Sequence, residues 1–318
     1  MRREAFAAMV LAFVVTFALQ VLAGPSAGAA TVVGVTDLTP TRTALFVQSP
    51  AMGQVVQVQV LHPAGGAPRP TYYLLDGLLP GDRESTWTNA TDAVQFFADK
   101  NVNVVLPVGG PASYYTDWDR PDPQLGNYKW ETFLTEELPP IIDAQFSGNG
   151  VNAIGGLSMG GNSAFILATR KPWLYRAVAG YSACPDTSLA TPAILFSIAS
   201  HGGDPQNMWG PVGGPQWSAH DPAANANQLR GKTIYLSTGT GLPGPHELEL
   251  KPQLPENILA GGPVETGVFA CVSSFDQRLR GLGIPARVVY RPSGTHSWSY
   301  YADDLHDSWP TIGPAIGA

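Results

Sequence analysis

Cysteine is scarce: the 318-residue chain has two, Cys184 and Cys271. It contains neither a CxxC pair nor a histidine-rich run, so there is no framework for a structural metal. Charge is also sparse, with Asp, Glu, Lys and Arg making up 14% of residues. No block of like charge occurs and the formal net charge is −7, which argues against a nucleic-acid partner. Internal repeats and a recognisable interdomain linker are both missing. Gly (35) and Pro (29) are plentiful but dispersed, which points to long ordered loops rather than a low-complexity tail.

At the start of the chain, Arg2 and Arg3 precede the apolar run AFAAMVLAFVVTFALQVLA, and small residues follow in GPSAGAA. That order predicts a signal peptide over residues 1–30, cleaved near Ala29 or Ala30. A retained anchor is the alternative, because the run approaches the length of a membrane span. The remaining residues 31–318 are expected to form one large domain. In an exported protein the two cysteines either pair or stay as small buried hydrophobes, and their spacing does not decide.

Strand and helix patterns alternate along this region. QVVQVQVLHP alternates polar and apolar residues, as a half-exposed strand near a sheet edge would. TYYLLDG, NVNVVLPVGG, VNAIGG, YRAVAGYSA, KTIYLSTG and ARVVYRP are short apolar runs that suit buried strands. Helices are expected over TWTNATDAVQFFADK, SMGGNSAFILATRK and HSWSYYADDLHDSW. KWETFLTEELPPII reads as a helix broken or kinked at Pro139 and Pro140. VFACVSSFDQRLRGLG carries the stripe Val268, Val272, Phe275, Leu279 and Leu282. Pro185 to Asn227 dissolves into Pro, Gly and Trp and reads as an insertion over one face. The alternation implies an α/β fold with a mostly parallel sheet covered on both sides.

Ser158 lies in Gly156-Leu157-Ser158-Met159-Gly160, between a strand pattern and a helix pattern. This is the G-x-S-x-G nucleophile elbow of the α/β-hydrolase fold, with glycines where a Cβ would clash with the sharp turn. A serine hydroxyl needs an imidazole to take its proton. His296 follows the last strand, where the fold places its base; His306 falls on the next helix and His246 in a Pro/Gly loop. Glu247, Glu249 and Glu265 all remain open as the acid. The amide of Met159 and one near Leu78 are the expected oxyanion donors.

The segments YLLDGL, LPVGGPASYYTDWDRP, YKWETFLTEELP, IGGLSMGG, NMWGP and GTHSW stand in an order that resembles the secreted mycolyltransferases. These are the mycobacterial antigen 85 complex and its corynebacterial relatives, and the likeness runs from Gln54 to Trp309. The resemblance implies Ser158 as nucleophile, His296 as base and Glu265 as acid, with the amides of Leu78 and Met159 as oxyanion hole. It also implies sugar contacts from Asp76 and Asp186, with Ser297 and Trp298 beside the base. Where antigen 85 proteins follow LDGL with an arginine, this chain has Leu79, so altered sugar recognition is expected. The short-spaced cysteine pair of some mycobacterial members is absent. Cys184 and Cys271 stand near Asp186 and Glu265 instead, and a disulfide joining those two regions is expected.

The resemblance implies an acyltransferase that moves a mycolyl group from trehalose monomycolate, through an acyl-serine, to a second trehalose monomycolate or to cell-wall arabinogalactan. No cofactor and no metal are expected. Trehalose mycolates and wall glycolipids are the implied partners of a monomer associated with the cell envelope. A secreted carboxylesterase would use the same groups. A wall-associated binding protein would have lost part of the triad.

Overall fold

The computed structural model describes residues 28–248 and 254–318. The expected signal peptide lies almost wholly outside the described residues, as does Glu249. The strands are β1 (Thr31–Thr39), β2 (Arg42–Ser49), β3 (Gln54–Leu61), β4 (Arg69–Leu75) and β5 (Asn103–Pro107), followed by β6 (Gly148–Leu157), β7 (Tyr175–Tyr181), β8 (Thr233–Thr238) and β9 (Arg287–Tyr290). They form one sheet in the order β1-β2-β3-β5-β4-β6-β7-β8-β9. From β5 to β9 neighbouring strands are parallel, and the first three join them through an antiparallel β3–β5 pair. This is the α/β-hydrolase fold.

Every residue of β4 and β5 is buried, as expected for parallel strands with helices on both faces. Side chains alternate between two cores. Tyr73, Leu75 and Ile154 pack with Phe165 and Phe275, from helices Ser158–Arg170 and Gly262–Gly281. Tyr72, Leu74 and Ala153 pack on the opposite face with Trp87, Leu305 and Ile312, the last two from helix Trp298–Ile316. The helices that carry Ser158 and Glu265 therefore share one face, and the helix after His296 covers the other.

Four expectations are corrected. β3 is not near an edge, because β1 and β2, which the sequence patterns did not reveal, extend the sheet beyond it. Its polar alternation is met inside the protein, where buried Gln59 accepts from Arg42 Nη2 (2.8 Å). The helix expected over residues 86–100 is two short ones, Thr86–Ala90 and Ala93–Phe96. Extended Thr91 separates them and takes the amide of Ala93 on its hydroxyl (3.1 Å). Pro139 and Pro140 do not break their helix. They follow a π-turn over Phe133–Glu137, a widened turn of the kind that absorbs disruption of the hydrogen-bond ladder. The Pro185–Asn227 region holds a true helix, Thr187–Ser200. It has no apolar stripe to reveal it: Leu189 and Phe196 face solvent while Ile194 and Ile198 are buried.

Candidate active site

Strand β6 ends at Leu157 and helix Ser158–Arg170 begins at the next residue. Ser158 takes φ +48°, a left-handed conformation that costs a side-chain-bearing residue free energy and is retained where packing over-determines it. The packing is visible at Gly160, where a Cβ would sit 2.3 Å from the Asp76 carbonyl oxygen. At Gly156 it would sit 2.6 Å from the Gly160 carbonyl carbon. Only glycine lets this helix close onto the strands, and that closure lifts the Ser158 hydroxyl to the strand's C-terminal end.

His296 lies between β9 and helix Trp298–Ile316. Its Nε2 is 2.9 Å from Ser158 Oγ and its Nδ1 is 2.8 Å from Glu265 Oε2. Glu265 stands in the first turn of helix Gly262–Gly281 and is fully buried. Its other oxygen accepts from the Gly239 amide (2.6 Å), Ser182 Oγ (2.7 Å) and Thr238 Oγ1 (3.0 Å). Burial alone would raise this carboxyl's pKa. Hydrogen bonds from His296, Gly239 and Ser182 outweigh it and hold the group below the usual range.

Of the competing glutamates, Glu247 has another task. It accepts from the Gly244 amide (2.8 Å), Thr295 Oγ1 (2.7 Å) and Tyr300 Oη (2.5 Å), and so anchors the loop that carries His296. His246 reaches Asp303 (2.7 Å) and His306 reaches Asp92 (2.9 Å). Neither approaches the serine as His296 does.

The Met159 amide belongs to the first turn of its helix, where amides have no intrahelical acceptor. Leu78 is held by its carbonyl, which accepts from the Ala112 amide (3.2 Å). Ala112 belongs to the segment LPVGGPASYYTDWDRP, whose bracing role the sequence did not suggest. Ala112, Tyr114 and Tyr115 have φ of +52°, +53° and +44°, and the Tyr114 carbonyl accepts from Ser163 on the nucleophile helix (2.7 Å). This strained loop braces the chain both at Leu78 and on the helix that begins at Ser158. Its Gly109-Gly110-Pro111 start was the signal available in the sequence.

Ser158 and His296 open on a cleft of about 480 Å³, lined also by Leu79, Ser297, Trp298 and Leu254. Leu79 is 70% exposed. Two expected sugar contacts do not line this cleft. Asp76 is buried and accepts from the Thr86 amide (3.0 Å), which anchors the start of a short helix. Its second oxygen has no partner, and burial pushes its pKa up to about 7. Asp186 caps helix Thr187–Ser200, with one oxygen taken by Ser188 Oγ (2.7 Å) and the Leu189 amide (3.0 Å). Both carboxylates serve helix starts, where unpaired amides attract them. The expected disulfide is present: Cys184 is bonded to Cys271, with Cα atoms 5.3 Å apart.

A serine on a strained elbow, a histidine and a buried glutamate, joined in that order on this fold, define a serine-nucleophile α/β-hydrolase. The family model described as "Putative esterase" matches residues 49–312, and the chain belongs to that family and, within it, to the group of the mycolyltransferases. It is 36% identical to the diacylglycerol acyltransferase/mycolyltransferase Ag85A of Mycobacterium leprae, over 86% of this chain and 83% of that one. It is 34% identical to the Ag85A protein of Mycobacterium tuberculosis, over 86% and 81%. Among solved structures, Mycobacterium tuberculosis MPT51 (FbpC1) superposes with a TM-score of 0.71 at 28% identity, covering 86% of this chain and 97% of that one.

Proposed function

We propose that this chain is an exported acyltransferase that moves a mycolyl group from trehalose monomycolate to a second sugar. Ser158 attacks the ester carbonyl and passes its proton to His296 Nε2, while Glu265 orients the ring and stabilises the imidazolium. The amides of Leu78 and Met159 take the negative charge of the tetrahedral intermediate. His296 then gives the proton to the departing trehalose oxygen, leaving a mycolyl-serine. An acceptor hydroxyl, from trehalose monomycolate or wall arabinogalactan, loses its proton to His296 and attacks the acyl group, and His296 returns that proton to the departing Ser158 oxygen. No cofactor enters these steps. Residues 1–30 act as signal peptide, residues 31–318 as one domain, and the mature monomer works at the cell envelope.

The observation that carries this reading is the hydrogen-bonded series Ser158–His296–Glu265 at the wall of an open cleft. Membership of a family whose relatives are named as mycolyltransferases supports the acyl group. The test is to incubate the purified protein with trehalose monomycolate and resolve the lipids. Trehalose dimycolate should form, and Ser158→Ala should reduce it by several orders of magnitude with little change in thermal midpoint. An active alanine variant would sink the assignment. Exposed Leu79, which offers no donor to an acceptor sugar, favours a second reading as an esterase. Free acid as the dominant product would establish it.

A further inference from the structure

Behind the acid, on the side away from Ser158, lies an ion pair that the steps above leave unused. Arg291, just past β9, contacts Asp304 of helix Trp298–Ile316 through Nη1. Its Nη2 stands 3.5 Å from Glu265 Oε1 and 3.5 Å from Ser182 Oγ, itself a donor to Glu265. The Arg291 side chain is 15% exposed and that of Asp304 3%.

A buried ion pair kept only for stability should have its remaining donors and acceptors satisfied, since desolvation otherwise exceeds the Coulombic gain. Here Arg291 Nε has no partner, and the second oxygen of Asp304 has only the neighbouring Ser237 hydroxyl within reach. The guanidinium's second nitrogen instead faces the acid's Oε1 and the Ser182 hydroxyl that donates to it. The remaining neighbours carry no compensating charge of their own: Tyr235 and Ser237 from β8, and Tyr300 and Tyr301 from the last helix. The guanidinium lies over the Tyr300 ring at 5.2 Å. Glu265 and Asp304 are thus two buried carboxylates sharing one cation, and among the described residues His296 is the only other titratable group bonded to either.

We propose that Arg291, clamped by Asp304, is a positioning residue for the triad: it fixes Glu265 Oε1, while Asp304 sets how much positive charge reaches the acid and the imidazole beyond it. The inference rests on the acyl-serine reading of the site. Its sign follows from charge. Replacing Asp304 by the near-isosteric Asn keeps an acceptor for Arg291 but removes the negative charge behind Glu265 that Asp304, its pKa pushed up by burial to about 6, carries above that pH. The imidazolium is then less stabilised, so His296 becomes a competent base at lower pH.

The test follows hydrolysis of p-nitrophenyl butyrate against pH, in the full mature chain. Asp304→Asn should move the acidic limb of kcat/KM to lower pH. Arg291→Met should lower kcat on the order of tenfold with KM unchanged. Arg291→Lys, which keeps the charge and loses the fork, should recover part of that loss. An unshifted Asp304→Asn profile, or an undiminished kcat in Arg291→Met, overturns the inference. Should Arg291→Met fail to fold, the Asp304→Asn profile decides alone. Ser158→Ala, measured in parallel, separates the two levels. If it is inactive beside a fully active Arg291→Met, only this inference falls; if it is active, the acyl-serine reading falls as well.

Discussion

At the scale of single residues, the two glutamates near His296 reach different groups. Glu265 bonds the imidazole and Glu247 bonds the loop that carries it. Glu265→Gln should therefore lower kcat by orders of magnitude, because the imidazolium loses its counter-charge. Glu247→Gln should instead cost ~1–3 kcal/mol of stability, as its buried donors lose a charged acceptor. Ester hydrolysis and thermal melting of both variants check this, and the reverse pattern would exchange the roles. Leu79 lines the cleft and brings no hydrogen-bond donor to it. Leu79→Arg should lower KM for trehalose-based substrates, since charged donors contribute about 1.5–3 kcal/mol per hydrogen bond. Hydrolysis of p-nitrophenyl butyrate should stay unchanged. Equal damage to both reactions would make Leu79 a packing residue.

At the scale of elements, a covalent tie joins the helix that carries Glu265 to the loop ahead of helix Thr187–Ser200. The disulfide links Cys184, two residues before the Asp186 cap, to Cys271, six residues beyond Glu265. Its 87-residue separation makes the loop-closure term about 4–5 kcal/mol in the chain-entropy model. Reduction, or the double variant Cys184→Ala/Cys271→Ala, should lower the thermal midpoint by several degrees. It should also weaken activity, because the helix carrying Glu265 loses its tie to the neighbouring loop. A reduced protein with unchanged melting and kcat would show that packing of Val272 and Phe275 alone holds that helix.

At the scale of the whole molecule, buried carboxyls shape how stability follows acidity. Asp76 is protonated more readily in the folded than in the unfolded chain, because burial lifts its pKa from 3.8 to about 7. Its contribution to stability is therefore fully present below about pH 4 and is lost as pH rises towards 7. Glu265 has the opposite sign: its contribution is present above the ordinary glutamate range and lost on acidification. Asp76→Asn keeps a cap for Thr86 while removing the titration. The midpoint of this variant relative to the parent should thus rise between pH 4 and pH 7 and then level off. A difference that stays flat across that range would mean that Asp76 keeps its charge when buried.

The elbow at Ser158, the loop position of His296 and the parallel strands were legible in the sequence because each leaves a local mark. Glycines flank the serine at a turn that excludes Cβ atoms, and continuous apolar runs announce strands buried on both faces. The amphipathic helix was legible as well: Val272, Phe275 and Leu279, spaced for one face, are fully buried. The acid was not legible by pattern, since Glu247 and Glu265 both follow β8 and differ only in which group their oxygens reach. Helix Thr187–Ser200 was hidden because a helix apolar all round has no period to read. The tasks of Asp76 and Asp186, the bracing of the oxyanion loop and the pair behind Glu265 arise from segments brought together by the sheet. Local pattern records what each segment buries. Which carboxylate meets which donor depends on distances between segments far apart in the chain, and only the folded sheet sets those.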